Sequence, residues 1–352
     1  MAYTTIDDPS AYFQTTLWTG NASARSITFD GNSDMQPDWV WIKNRASTQN
    51  HRLFDSVRGA GKNIKSNDTQ AQIDAGTGTD GQLRSFASDG FTLGTDGSVN
   101  NNNEGHVAWS WKAGTSFSND ASSTSVGSID STASVSQTAG FSIVKYTGTG
   151  SNETVAHGLG LAPEIMFCKN LSAAENWVVY VKSLGNTKRL VLDTTGAVGT
   201  DATIFNSTTP NTTVFGIGEN AGANGNGHGQ IAYCFASVKG YSKIGTYVGN
   251  GNADGPFVYT GFKPAFIIVK NTASGGWQLR DHKRTIFNML TNLNYANATS
   301  VEQTTDGIDF LSNGWKLRNS AGDNNADGVS YIYLAIAKNP LVTSTGIPGL
   351  AR

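Results

Sequence analysis

Charge and cysteine are both scarce in this 352-residue chain, and each scarcity removes a class of protein. Charged residues make up 15% of the sequence and the formal net charge is -2, so there is no basic field with which to grip nucleic acid or an anionic membrane. Two cysteines, Cys168 and Cys234, are too few for a disulfide-built scaffold, and neither sits at metal-ligand spacing. Both fall in apolar runs and read as buried thiols, with a bridge between them as the alternative. No apolar run exceeds strand length, so membrane insertion is not expected. Residues 1–5 carry neither a basic segment nor an apolar core, which argues against a Sec-type signal peptide.

What the chain has in quantity is glycine, 41 residues, among many Asn, Ser and Thr, the composition of short strands joined by tight turns. One pattern of about a hundred residues is written three times. Its tag is PDWVWIKN at 37–44, PEIMFCKN at 163–170 and PAFIIVKN at 264–271. Upstream, an aromatic leads into a glycine turn: Trp18 before Gly20, Tyr146 before Gly148, Tyr247 before Gly249. Downstream lie DGFTLG at 89–94, TVFGIG at 213–218 and NGWKLR at 313–318, then the closing strands VAWSWK at 107–112, IAYCFA at 231–236 and YIYLAI at 331–336.

These landmarks divide the chain into an amino-terminal arm (1–11), repeat 1 (12–114), a Ser/Thr/Ala-rich linker (115–139), repeat 2 (140–239), repeat 3 (240–340) and a tail (341–352). The linker has almost no large apolar residue with which to build a core. Repeats 2 and 3, joined directly, are expected to behave as a rigid pair, with repeat 1 more independent. The tag strands are apolar on both alternating faces, as strands covered on both sides are. About eight short strands fit in each repeat, and the expected fold is all-β, three tandem antiparallel β-sandwiches of jelly-roll or concanavalin-like type. The segment 285–293 reads as strand in preference to a short helix.

No motif supplies chemistry. The stretches 250–255 and 323–328 start like calcium loops, yet position twelve is Gly261 in one and Leu334 in the other, where a bidentate acid is needed. Hairpin turns are the better reading of both. The glycines at 225–229 and 59–61 miss the spacing of phosphate-binding loops, and no serine occupies a G-x-S-x-G elbow. The histidines His51, His106, His157, His228 and His282 form no i, i+4 pair, and Asp55, Glu164, Glu175, Asp193, Asp281, Glu302 and Asp309 keep no common place across the repeats. Trp39, Trp41, Trp109 and Trp111 are expected in the core. Trp177 and Trp277, each following a polar bend, are the candidates for glycan stacking. No catalytic residue, cofactor or metal ligand is assigned.

Four segments carry a family resemblance: DPSAYFQTTLWTG at 8–20, FSIVKYTGTG at 141–150, HGLGLAPE at 157–164 and GYSKIGTYVGNGNADGPFVYTGFKP at 240–264. In these the chain resembles the repeated uncharacterised-domain structural proteins, of tail-fibre type, of marine tailed bacteriophages such as cyanophages and pelagiphages. The resemblance implies a sandwich fold in a virion appendage, assembled in the host cytoplasm, and supplies no catalytic residues. The expected function is therefore a non-enzymatic virion structural protein, with host-surface polysaccharide among its partners. A capsid decoration or head-fibre protein is the runner-up, and a secreted glycan-binding or glycan-cleaving protein the third reading. Other virion proteins and a second copy of itself are the expected partners, the flat polar sheets favouring a homo-oligomer such as a trimer. Tyr3, Tyr12 and Phe13 would help the arm dock on the particle.

Overall fold

The structure, a computed structural model, describes residues 2–349; the last three residues of the predicted tail lie outside this range. The fold is all-β, as expected, and its sheets are antiparallel. One three-strand arrangement recurs in it. Strand Gly105–Trp111 lies between Phe13–Thr19 and Trp39–Asn44, strand Gly229–Phe235 between Phe141–Thr147 and Ile165–Asn170, and strand Ser330–Pro340 between Ser242–Val248 and Phe262–Asn271. The registers agree: Trp39 opposes Trp111, Ile165 opposes Phe235 and Phe266 opposes Ile336.

The two-faced apolar character of the tag strands has a direct cause. Successive side chains of a strand point to opposite faces, and here each face meets a different core. Trp39 and Trp41, Ile165 and Phe167, and Phe266 and Ile268 all enter one shared core. Their alternates go elsewhere: Val40 and Ile42 to a core of the first unit, Met166 and Cys168 to one of the second, Ile267 and Val269 to one of the third. The three sheets thus pack on one another by their tag faces. Each large apolar side chain buried there contributes roughly 1.5–3 kcal/mol relative to exposure.

The outer layers differ between units. In the first, strands Arg25–Ile27, Gly90–Leu93 and Leu83–Ala87 form a second small sheet, giving a sandwich. In the second, Glu153–Ala156 and Val214–Ile217 do the same. The third is a single eight-stranded sheet that curls until Lys243 of one edge strand meets the Tyr259 carbonyl of the other, 2.8 Å away. Segment 285–293 enters strand Leu290–Tyr295 and contains no helix.

Three expectations are corrected. Residues 115–139 are not a linker: Thr115–Asn119 and Ser131–Ser136 extend the sheet of the second unit, and Ala133 and Val135 enter its core. Thr115–Asn119 is the edge strand of that sheet, and only its Asn119 is buried. The first unit is likewise not independent, since its tryptophans fill the shared core. Nor is the arm free to dock. Ile6 is 3% exposed in the shared core, and Tyr3 Oη donates to Gly261 O at 2.7 Å.

The repeated aromatic-x-Gly and Asn/Gly landmarks form one device. Trp18 Nε1 donates to Val99 O at 3.1 Å, Tyr146 Oη to Ala223 O at 2.6 Å and Tyr247 Oη to Asn324 O at 2.6 Å. Each acceptor lies in a one-turn helix, Gly97–Asn100, Ala221–Asn224 or Gly322–Asn325. The buried asparagine closing each helix clamps the turn after the aromatic: its Oδ1 accepts from the backbone N–H of Asn21, Thr149 and Asn250 respectively. A Cβ on Gly20, Gly148 or Gly249 would come within 2.0, 2.4 or 2.3 Å of a backbone oxygen of the opposing turn, so only glycine allows this approach. The calcium-like stretches belong to the third copy of this clamp.

Candidate functional site

The two tryptophans proposed as sugar platforms are fully buried, at 0% exposure each. Trp177 Nε1 donates to Lys65 O at 2.7 Å and Trp277 Nε1 to Val191 O at 2.9 Å, each acceptor lying in a neighbouring unit. Rings enclosed in this way have no free face for a sugar. The registers Ile42↔Arg52, Cys168↔Val178 and Lys270↔Trp277 place His51 at the matching point of the first unit. Its Nδ1 accepts from Trp41 Nε1 at 2.8 Å, and its Nε2 faces Tyr295 O at 3.0 Å, which puts the proton on Nε2. Burial pushes its pKa well down. One N–H donor per unit therefore reaches across each seam, closing a ring of three contacts.

Two lysines of the tags serve the same seams. Lys43 Nζ donates to Gln49 O at 2.9 Å and Thr299 O at 3.1 Å; Lys169 Nζ donates to Thr69 O at 2.7 Å and Glu175 O at 2.6 Å. Burial lowers the pKa of Lys43, Lys169 and Lys270 to about 8 each. Two seams also hold buried ion pairs, Asp55 with Arg58 and Asp281 with Arg284. Cys168 and Cys234 are buried free thiols, and burial raises the Cys168 pKa to about 12. Among the described residues no three His, Cys, Asp or Glu side chains gather as metal ligands would, and no helix is long and apolar enough to cross a membrane.

A group of side chains turned toward solvent lies instead where the second unit, the third unit and the arm meet. A groove of about 450 Å³ is lined there by Tyr3, Glu164, Ser237, Lys239, Lys243 and Tyr259, among others. Three features position them. The arm delivers Tyr3; closure of the third sheet brings Tyr259 to Lys243; the short join after strand Gly229–Phe235 supplies Ser237 and Lys239. Gly261, at φ +84, has no Cβ to block the two phenols, since a Cβ there would lie 2.7 Å from Tyr3 Oη and 3.4 Å from Tyr259 Oη. The Lys239 ammonium sits 4.6 Å from the Tyr3 ring centre and that of Lys243 5.2 Å from the Tyr259 ring centre, within cation–π range. Burial, then the hydrogen bond with Tyr259, raises the Tyr3 pKa to about 12. Glu164 accepts from Ser237 Oγ and pairs with Lys182 at 3.2 Å.

The arrangement offers an aromatic wall, two ammonium groups and hydroxyls, with its one carboxylate already paired. Its one hydroxyl–carboxylate contact, Ser237 Oγ on Glu164, has the carboxylate also paired with Lys182. Sequence reasoning missed the groove because its residues, Glu164 of the second tag apart, lie outside the repeated landmarks. The available signal was the arm's Tyr3 together with the Tyr259-Thr-Gly261 turn.

An all-β protein of antiparallel sheets that share a core, carrying a solvent-facing groove, is the class that fold and site define. The family model for a domain of unknown function (DUF7483) matches residues 8–340, and the chain belongs to that family. The match runs unbroken across the three units and the 115–139 segment. No curated protein matches the chain.

Proposed function

We propose that this chain is a non-enzymatic structural module of a tailed-phage virion, of tail-fibre or appendage type, that presents a glycan-facing groove to the host surface. The observation that carries the reading is the use to which the polar chemistry is put. Side chains that could serve catalysis, including His51, Lys43, Lys169, Asp55 and Asp281, are spent holding three sheets together at their seams. The solvent-facing groove is of a binding kind. A rigid body with polar turns at its edges suits a displayed building block, and the resemblance of segments 8–20, 141–150, 157–164 and 240–264 to phage structural proteins supports the same reading.

Mass spectrometry of purified particles, with immunogold imaging by an antibody raised against this chain, tests the proposal. It predicts stoichiometric presence of the chain and label on appendages. Absence from particles would overturn it, and label confined to the capsid shell would replace the appendage with a decoration role.

A further inference from the structure

The groove of the second and third units has a charge opposite to that of the chain as a whole. Lys239 and Lys243 face it with no carboxylate partner among the salt bridges of the described residues, while Glu164 is held by Lys182. The net charge of the chain is -2, so this local excess of positive charge is set against the background. The two ammonium groups rest against aromatic rings and Lys243 gives one N–H to the Tyr259 carbonyl, which leaves their remaining N–H donors for a ligand. Lys239 is exposed, and the Tyr259 side chain is 49% exposed, offering an apolar ring edge and a phenolic hydroxyl at the rim.

Resting on the reading of this groove as glycan-facing, we infer that its ligand is an anionic sugar, a pyranose carrying a carboxylate or a sulfate ester. A neutral sugar would satisfy the hydroxyl and ring contacts but leave both ammonium groups without a counter-charge. An inorganic anion would use the ammonium groups and leave the tyrosines idle. A sugar ring with an acidic substituent uses both sets at once: ring C–H groups against Tyr259, hydroxyls toward Ser237 and Tyr259 Oη, and the anion between Lys239 and Lys243. The groove volume of about 450 Å³ is of the size that accepts one or two sugar residues.

Isothermal titration of the full chain with tetramannuronate, a carrageenan-derived sulfated tetrasaccharide and cellotetraose tests the inference. At least one of the anionic tetrasaccharides should bind at least tenfold tighter than cellotetraose, with affinity falling as salt rises. Which of them does so identifies the carboxylate or the sulfate as the recognised group. The double substitution Lys239→Gln with Lys243→Gln should remove that preference, and Tyr259→Ala should weaken binding of the preferred sugar at least fivefold, with unchanged thermal midpoints showing that the fold is intact. Equal binding of cellotetraose, or an anionic preference that survives loss of both lysines, would overturn the acidic-sugar assignment and leave a glycan-facing groove standing. Binding of none of the three would overturn both the assignment and the glycan-facing reading, while the virion reading would still be decided by particle analysis.

Discussion

Tyr233 of the second unit donates its phenolic hydrogen to Asp55 Oδ2 of the first at 2.6 Å, and Arg58 Nε holds the same oxygen at 2.5 Å. The seam between the first and third units repeats the relationship with different donors: Trp109 Nε1 donates to Asp281 Oδ2 at 3.0 Å and Arg284 Nε to the same atom at 2.6 Å. Burial opposes the charge of Asp281, but Arg284 and the hydrogen bonds hold its pKa below the usual carboxylate range. At the remaining seam the matching positions are Val181 and Leu334, both in the shared core. At these matching positions two seams carry buried charge and one carries apolar side chains.

Removing one partner of such a pair leaves the other charged and buried. Asp55→Ala should therefore cost roughly 3–5 kcal/mol, and Tyr233→Phe, which deletes one hydrogen bond to a charged group, about 1.5–3 kcal/mol. Urea denaturation of the two variants measures both. A loss of a few tenths for Asp55→Ala would show that the seam does not depend on this pair.

Trp277→Phe should keep the ring in the core while removing the donor to Val191 O. The orphaned carbonyl implies a loss of about 1–3 kcal/mol, and the amide of Gly275, which donates to Thr195 O at 2.9 Å across the same seam, should exchange faster with deuterium. Unchanged exchange at Gly275 would contradict the seam contact.

Acid should weaken the fold before carboxylates titrate. His157 is fully buried; its Nδ1 accepts from Leu159 N at 3.2 Å, and burial lowers its pKa to about 4. The unfolded chain takes up the proton near pH 6.5, so stability is intact above that value and falls as pH drops toward 4, by roughly 3 kcal/mol from this residue. On the alkaline side Lys43, Lys169 and Lys270, at about 8, make stability rise above pH 8. The trend reverses above about pH 10, where buried Tyr146, Tyr233 and Tyr247, whose pKa values burial raises, begin to ionise in the unfolded chain. Urea midpoints measured from pH 4 to about 11 should trace this profile; a flat line between 6.5 and 4 would refute the histidine assignment.

Both thiols should resist alkylation in the native protein. Cys168 and Cys234 are fully buried, and desolvation disfavours their thiolates. Labelling by iodoacetamide without denaturant within minutes would show that the second unit opens.

The tag strands were legible in the sequence because a strand covered on both faces must be apolar at every position. The helix-turn clamps were legible as glycine and asparagine landmarks, although their spacing also imitated calcium loops. His51 escaped because a histidine and a tryptophan share little except an N–H donor, and only strand register reveals that His51, Trp177 and Trp277 occupy one position. Residues 115–139 escaped because serine and alanine can complete a sheet edge without an apolar signature. The groove left only the faint signal of Tyr3 and the Tyr259-Thr-Gly261 turn, since Tyr3, Glu164, Lys243 and Tyr259 meet only after the third sheet curls and the arm packs.

The three sheets share one core, and calorimetry of the whole chain tests that directly. A shared core requires a single transition whose calorimetric and van't Hoff enthalpies agree, and a fragment of residues 12–114 alone, with Trp39, Trp41, Trp109 and Trp111 uncovered, should fail to fold. Two or three separate transitions, or a first unit that folds by itself, would contradict it.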